Sequence, residues 1–250
     1  IEAIQLEDTM DFYKKNYGPY NAILVLSGSI GVEAGFDLAQ KWFGHIPGRE
    51  REPLQFSPVE ILDKKVHKTV YGEVPSPAIY FAFKMKNRLD RDFYIADLIS
   101  DILSSGRSSR FYQRLIKEQQ LFSYIDAYIS GTTDPGLFIV DGRLMEGVTM
   151  EQAGAAIWKE LRQMATELLP PRELEKIKNK AESNLVFSES SALNKSMSLA
   201  YFEYLENIEL INSEVQIYQT ISAEEVLRVS AEMFDENAHV ELFYRSEEHT

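Results

Sequence analysis

The order of the hydrophobic patterns constrains the fold of this chain more than any other feature. Between Ile79 and Met85 large apolar residues occupy every second position, which is the period of a half-buried strand. From Ala153 to Leu168 apolar residues recur with the period of a helix. Strands are predicted at 66–71, 79–85, 122–129, 137–144 and 240–244, and helices at 90–104, 109–118, 150–168, 171–187, 190–206 and 222–233. Because strands and helices come in blocks, we predict an α+β fold with helices packed on one face of a largely antiparallel sheet.

The first 47 residues form a separate block. Helices are predicted at 8–16 and 31–43, and the apolar run 21–26 between them is predicted to be a strand buried on both faces. Two helices and one strand are too few for a core, so this block is interpreted as the end of a domain whose beginning is missing. The chain also begins at Ile1 rather than at methionine, which favours a processed or excised piece. Residues 48–63, which follow Pro47 and contain two further prolines, are predicted to be a linker to a second domain at 64–250.

The composition excludes several functions. The chain has 26 Lys and Arg against 39 Asp and Glu, a net charge of −13, so neither nucleic acid nor an anionic membrane is an expected partner. The absence of cysteine excludes disulfides and thiolate chemistry. No apolar stretch reaches the roughly 18 residues that a membrane-spanning helix needs.

The sequence contains no pattern of a self-contained catalytic or metal site. The four histidines, at 45, 67, 239 and 249, have the spacing of neither H-E-x-x-H nor H-x-x-E-H, so they are predicted to be surface or packing residues. No serine lies in the G-x-S-x-G pattern of a nucleophile elbow. We therefore predict no catalytic residue, no metal ligand and no cofactor within this chain.

Two features are candidates for binding. The segment from Gly106 to Arg110 offers free backbone amides and two arginines to an anion or a peptide carboxylate. The alternative is a glycine that ends one helix and a serine that caps the next. Tyrosines that either line a peptide groove or pack in the core lie at 124, 128, 201, 204 and 218.

Four short motifs, taken in order, resemble one known family. They are P-x-N-A at 19–22, F-G-x-I-P at 43–47, L-x-x-G-x-S-S-R at 103–110 and E-L-x-x-x-K at 173–178. In this order and spacing they are similar to the insulinase/pitrilysin-like M16 family of zinc metallopeptidases. The resemblance covers nearly the whole chain.

The resemblance implies a LuxS/M16 metallopeptidase-like fold and two domains with different roles. Residues 1–47 would be the C-terminal remnant of a catalytic-type domain, and residues 64–250 the inactive-type domain. The H-x-x-E-H motif and its zinc would belong to the missing catalytic half, in the same chain or in a separate subunit. This chain would then be the non-catalytic, substrate-enclosing portion of a zinc metalloendopeptidase that cleaves peptides, and it would be inactive alone. Assembly into a homo-oligomer stays an open alternative. The resemblance to this family favours a periplasmic or other extracytoplasmic location.

The chain departs from the family at one pair of residues. Active members often carry an Arg and a Tyr seven positions apart, and these positions hold Ile116 and Ser123 here. Tyr124 is displaced by one residue, which on a regular strand predicts the opposite face. The substrate-binding candidates are therefore the neighbouring Arg110, Arg114 and Tyr124.

Two alternatives to the substrate-enclosing portion remain open. The first is a non-catalytic partner subunit or peptide-binding scaffold that pairs with a separate zinc-bearing M16 subunit. The second is an unrelated peptide-binding module that shares only the fold.

Overall fold

The computed structural model describes residues 3–48, 62–131 and 133–246. The chain divides into two compact units, one from 1–58 and 185–213 and the other from 59–184 and 214–250. The first unit thus includes residues 185–213, which the sequence placed in the second domain. Most of the predicted linker at 48–63 lies outside the described residues, and the predicted domain boundaries stay a prediction.

The second unit contains a five-stranded sheet. Its strands are β1 (Val66–Gly72), β2 (Ala78–Lys84), β3 (Phe122–Ile129), β4 (Leu137–Leu144) and β5 (Val240–Ser246). Their order across the sheet is β1-β5-β2-β4-β3, with β1 parallel to β5 and the other neighbours antiparallel. This confirms the predicted α+β fold and its largely antiparallel sheet.

One face of this sheet packs against helices. Helix α3 (Arg91–Ser104) contacts β3, and α4 (Met150–Thr166) contacts β2 and α8 (Ala223–Met233). The core is aromatic: Phe81 and Phe83 are fully buried, and each ring centroid lies 5.7 Å from that of Trp158 on α4. Burial of each such side chain contributes about 1.5–3 kcal/mol relative to exposure. Helix α5 (Pro171–Ser188) follows α4 in the chain.

The junction between α3 and β3 differs from the prediction in one respect. Gly106 ends α3 with a φ of +78°, as predicted for a C-capping glycine. The next helix, Phe111–Glu118, has the wide π-type turn, and the Gln119 amide donates to the Arg114 carbonyl five residues back. Its N-cap is Arg110, with no side-chain cap, so the predicted serine cap is wrong.

The first unit contains α1 (Leu6–Asn16), α2 (Val32–Phe43) and α6 (Ala192–Tyr204), and the chain returns through α7 (Leu210–Gln219), a helix that the sequence patterns did not predict. The strand predicted at 21–26 is wrong, because residues 22–27 pair with no strand in the described part of the chain. Ile23, Leu24 and Leu26 are exposed. An extended segment becomes a strand only when a neighbour accepts its backbone hydrogen bonds.

Candidate functional site

The sheet face opposite the helices carries a group of tyrosines and aspartates on three neighbouring strands. On β3 the outward positions hold Tyr124, Asp126 and Tyr128. Asp141 on β4 lies directly opposite Asp126, and Tyr80 on β2 lies directly opposite Asp141. These five residues are called the open-face cluster. Tyr124 and Tyr128 are 44% and 41% exposed, and the other three members are half-buried.

A β-bulge decides the direction of Tyr124. The pairing of β3 with β4 shifts between Phe122, which is buried, and Tyr124. Because the bulge inserts one residue, Ser123 and Tyr124 are both exposed, and the inward alternation resumes at Ile125. The prediction that Tyr124 faces opposite to position 123 is therefore wrong. Tyr124 lies on the exposed face together with Ser123.

The open-face cluster is electrostatically coupled. The Tyr124 hydroxyl donates to Asp126 Oδ2 at 3.3 Å, and partial burial, followed by Asp126 and Asp141, raises the pKa of Tyr124 to about 12. Burial first, and then Asp141, Tyr80 and Asp126, raises the pKa of Tyr128. Burial also raises the pKa of Asp141, with Arg143 opposing it and Asp126 adding to it. The open-face cluster therefore stabilises the protonated forms of Tyr124, Tyr128 and Asp141, and a positive charge nearby would be favourable.

Arg110 is held by a helix rather than by the open face. Its Nε and one terminal nitrogen donate to the two carboxylate oxygens of Glu173 on α5 at 3.0 and 2.8 Å. The Arg110 side chain is largely buried in this bidentate pair.

Arg114 is engaged on the helix-covered side of the sheet. It donates to Glu160 Oε2 and to Gln163 Oε1, both on α4 and both at 2.5 Å. The Glu160 carboxylate is buried. The structure therefore does not bring Arg110 or Arg114 together with Tyr124, and their substrate-binding role stays a prediction.

The two positions of the Arg/Tyr pair carry no equivalent chemistry. Ile116 is an apolar, half-buried residue of the π-helix. Ser123 lies in the bulge, and its hydroxyl donates to the Arg143 carbonyl at 3.2 Å. Of the three candidates, Tyr124 is the one on the exposed sheet face.

Comparison with known proteins assigns the family. The family model described as the peptidase M16 inactive domain matches residues 3–181. The chain belongs to this family. Three curated relatives bear zinc-protease names, and several similar solved structures bear protease or peptidase names.

Relatives of this M16 chain are longer and distant in sequence. An uncharacterized zinc protease of Rickettsia bellii is 21% identical over 244 residues, covering 95% of the chain and 57% of the relative. The crystal structure of a protease from Helicobacter pylori matches with a TM-score of 0.92 at 19% identity, over 98% of this chain and 60% of that one. The peptidase M16 inactive domain from Pseudomonas fluorescens matches with a TM-score of 0.80 at 16% identity, over 98% and 58%. The chain thus spans a little over half the length of these proteins.

Metal ligands do not converge in the described part of this M16 domain. Within residues 3–48, 62–131 and 133–246, no group of three or more His, Cys, Asp or Glu is arranged to hold a metal ion. His67 lies 2.9 Å from Glu241, and His239 packs against Trp158 with ring centroids 4.9 Å apart. His45 is exposed, and His249 lies outside the described residues. No helix among the described residues has the length and apolar character to cross a membrane.

Sequence reasoning missed three members of the open-face cluster. Tyr80, Asp126 and Asp141 were assigned to strands at the right positions but not to a site. The period-two pattern already placed Asp126 two residues from both Tyr124 and Tyr128. What the pattern lacked was the strand pairing that brings Asp141 and Tyr80 beside them.

Proposed function

We propose that this chain is the non-catalytic, substrate-enclosing portion of an M16 zinc metalloendopeptidase that cleaves peptides. The observation that carries the proposal is an exposed sheet face with aromatic and acidic side chains in a domain of the inactive M16 type. Zinc in a catalytic half would polarise the scissile carbonyl and activate water. This chain would contribute the wall against which the peptide lies.

The open-face cluster is the part of that wall that contacts the peptide. The rings of Tyr124 and Tyr128 stand out from the sheet and offer both apolar area and a hydroxyl to a peptide. In this proposal Tyr124 replaces the tyrosine that the family carries at the position of Ser123. Arg110 and Arg114 hold the π-helix against α5 and α4, and so they position β3 rather than touch the peptide.

The first unit supports a role beside a catalytic half. A cleft of about 710 Å³ opens among α1, the extended segment and α2, and its lining includes Phe12, Tyr17, Ile23 and Phe43. An apolar surface of this kind marks an interaction site. Residues 1–47 would complete a catalytic-type domain by packing this surface against the zinc-bearing half, and residues 64–250 would form the inactive-type domain.

The test measures peptide cleavage by the full-length protein, in which this chain is joined to a zinc-bearing half. The full-length gene product would be assayed for cleavage of a quenched fluorescent peptide, first intact and then with Tyr124→Ala or Tyr124→Phe. We expect Tyr124→Ala to raise KM several-fold, with a smaller effect of Tyr124→Phe, because the phenyl ring keeps the contact area. A matched control is Tyr71→Ala, an exposed tyrosine of β1 outside the cluster. Absence of an H-x-x-E-H motif upstream of Ile1 would contradict the proposal.

A second candidate is a non-catalytic partner subunit or scaffold that pairs with a separate zinc-bearing M16 protein. The replacement of the family's Arg/Tyr pair by Ile116 and Ser123 favours it, since a scaffold does not need that pair. It predicts a degenerate upstream domain and cleavage only after the two proteins are mixed. Size-exclusion chromatography with and without the partner separates the two cases.

A further inference from the structure

Helix α6 of the first unit carries large apolar residues on two opposite sides. On one side Phe202 and Leu205 are buried. The other side carries four exposed residues at every third or fourth position: Leu193, Met197, Tyr201 and Tyr204. These four residues are called the α6 stripe. Because a helix that is apolar all round is normally buried all round, the α6 stripe lacks the cover that its composition predicts.

The α6 stripe differs from an ordinary solvent-facing surface. Lys195 and Glu203 are the only charged residues of α6, although a surface helix usually places charges opposite its buried side. Leu193 and Met197 are 68% and 62% exposed. Single exposed apolar side chains are common, whereas several that adjoin one another mark an interaction site.

The α6 stripe lies beside the exposed extended segment at 22–27. The Ser27 hydroxyl donates to the Ala192 carbonyl at the start of α6 at 3.2 Å, and it also contacts the Ser196 hydroxyl. Leu24 and Leu26 of the extended segment are exposed as well. Two apolar surfaces of the first unit therefore adjoin, although 165 positions separate Ser27 from Ala192 in the sequence.

The size of an interface decides whether the cleft of the first unit is enough by itself. A stable interface involves about 20–30 residues from each partner. About a dozen residues line the cleft among α1, the extended segment and α2. The α6 stripe, together with the exposed Val186 and Phe187 at the end of α5, brings the apolar surface closer to that size.

The longer relatives indicate what covers this surface. The matches cover 57% of the Rickettsia bellii relative and 60% of the Helicobacter pylori protease, so about two fifths of each protein lies outside the matched part. A segment of that length is large enough to form a domain of its own. Under the proposed function, that segment is the zinc-bearing half.

We propose that the α6 stripe docks against the zinc-bearing half, in the same interface as residues 1–47. An amphipathic helix binds a groove through apolar anchors at this spacing, and here the anchors are Leu193, Met197 and Tyr204. The inference rests on the proposed function and extends its interface to residues 185–213. The contact would hold the two halves together independently of the predicted linker at 48–63.

The experiment maps solvent access in the full-length gene product by hydroxyl-radical labelling and mass spectrometry. The labelling rate of each residue in the native protein is divided by its rate in urea, which cancels differences in intrinsic reactivity. We expect Met197 and Tyr204 to be labelled about tenfold more slowly in the native protein, because the centre of an interface is packed like a protein interior. Met145 and Tyr71, exposed residues of the second unit, should be labelled nearly as fast as in urea.

Substitutions show whether the protection comes from docking of the α6 stripe. Met197→Lys buries a charge in the interface and should raise the labelling of Tyr204 by about threefold or more. Met145→Lys is the matched control and should leave the labelling of Tyr204 unchanged. Met197→Ala removes the contact without adding a charge and should act in the same direction by a smaller factor, with circular dichroism as the check of folding. Unchanged labelling of Tyr204 in folded Met197 variants would overturn the proposal.

Phe12 and Phe43 of the cleft separate this inference from the proposed function. Protection of both phenylalanines with fast labelling of Met197 and Tyr204 would overturn the inference and leave the interface of residues 1–47 standing. Fast labelling of all four residues would contradict the interface of the proposed function itself. Protection of Met197 that is lost on dilution to a monomer, followed by analytical ultracentrifugation, would assign the α6 stripe to a second copy and also overturn the proposal.

Discussion

Gln120, just after the π-helix, has a backbone angle that is unfavourable for a residue with a side chain. Its φ is +53°, in the left-handed region that favours glycine. A side chain in this region costs about 1–2 kcal/mol. The turn is retained because the Leu121 amide bonds the Leu115 carbonyl at 2.9 Å and starts β3.

We expect Gln120→Gly to raise the free energy of unfolding by about 1 kcal/mol, since glycine adopts this φ without strain. The matched control is Gln119→Gly, where φ is −91° and glycine should instead cost about 0.5–1 kcal/mol through chain entropy. Urea unfolding followed by circular dichroism compares the two variants with the unmodified chain. Equal effects of the two substitutions would show that the angle at position 120 is not under strain.

His239 is a buried base in aromatic surroundings. It is 1% exposed, with its ring near those of Trp158, Phe81 and Phe83, and its Nδ1 lies 3.1 Å from the Asp235 carbonyl. Its Nε2 has no hydrogen-bond partner among the residues that the structure describes. Burial lowers the pKa of His239; the Asp235 carbonyl and Glu241 oppose that shift, whereas Lys65 adds to it.

The pH dependence follows from the sign of that shift. Below the ordinary histidine pKa of about 6.5 the unfolded chain binds a proton that the folded chain does not. The free energy of unfolding should therefore fall as pH drops below about 6.5, until the lower folded-state pKa is reached. Urea unfolding between pH 7.5 and 5 measures this fall. It should flatten in His239→Gln and persist in His45→Gln, where the replaced histidine is exposed; a persistent fall in His239→Gln would assign it to other groups.

At the scale of elements, the segment between α3 and β3 combines a glycine cap, a π-helix and a bulge. Of these three features, the bulge decides that Tyr124 is exposed. The predicted strand at 122–129 coincides with β3, yet alternation alone assigned the wrong face to Tyr124. A bulge depends on the pairing strand, here β4, and so it is not encoded in the local period of β3.

A buried hydroxyl lies two residues before the start of the π-helix. Ser109 is buried, and its Oγ has no partner in the described ranges, whereas Ser108 is exposed and accepts from Lys176 Nζ at 3.1 Å. We expect Ser109→Ala to raise the free energy of unfolding by about 1 kcal/mol, because an unsatisfied buried group is removed. Ser108→Ala should change it by less than about 0.5 kcal/mol. A loss of stability in Ser109→Ala, seen by urea unfolding, would mean that the hydroxyl is bonded.

The ion pair of Arg114 with Glu160 fastens the π-helix to α4. Glu160 is buried, so Arg114→Ala leaves its carboxylate without a partner. Arg114 is 38% exposed and water can partly replace it, so we expect a loss of roughly 2–3 kcal/mol rather than the full cost of an unpaired buried charge. The double variant Arg114→Met, Glu160→Met should recover most of that loss. Thermal and urea unfolding measure both, and an equal loss in the two variants would contradict the pairing.

At the scale of the whole molecule, the first unit presents apolar residues that its own elements do not cover. Phe36 and Trp42 on α2 and Leu24 in the extended segment are exposed. Residues on a free surface contribute little to the stability of the chain itself. Their role, under the proposed function, is to bind the zinc-bearing half.

We expect Leu24→Lys to change the free energy of unfolding of the chain by less than about 0.5 kcal/mol while weakening its association with a zinc-bearing half at least tenfold. Leu168→Lys, an equally exposed apolar position of the second unit, is the matched control and should leave association unchanged. Analytical ultracentrifugation of the mixture measures the association. Unchanged association of Leu24→Lys would remove this segment from the interface.

Local pattern by itself determined much about this protein. Short-range period, caps and motifs predicted the α+β class and the family resemblance. They also predicted the bounds of strands β3 and β4 to the residue and those of helices α3, α4, α5 and α8 to within two residues. Tertiary structure alone decided the face of Tyr124, the engagement of Arg110 and Arg114 by Glu173 and Glu160, and the unpaired state of residues 22–27. It also decided the opposition of Asp126 and Asp141. The physical reason is that strand register, bulges and ion pairs join residues far apart in sequence, whereas period and capping are properties of neighbours.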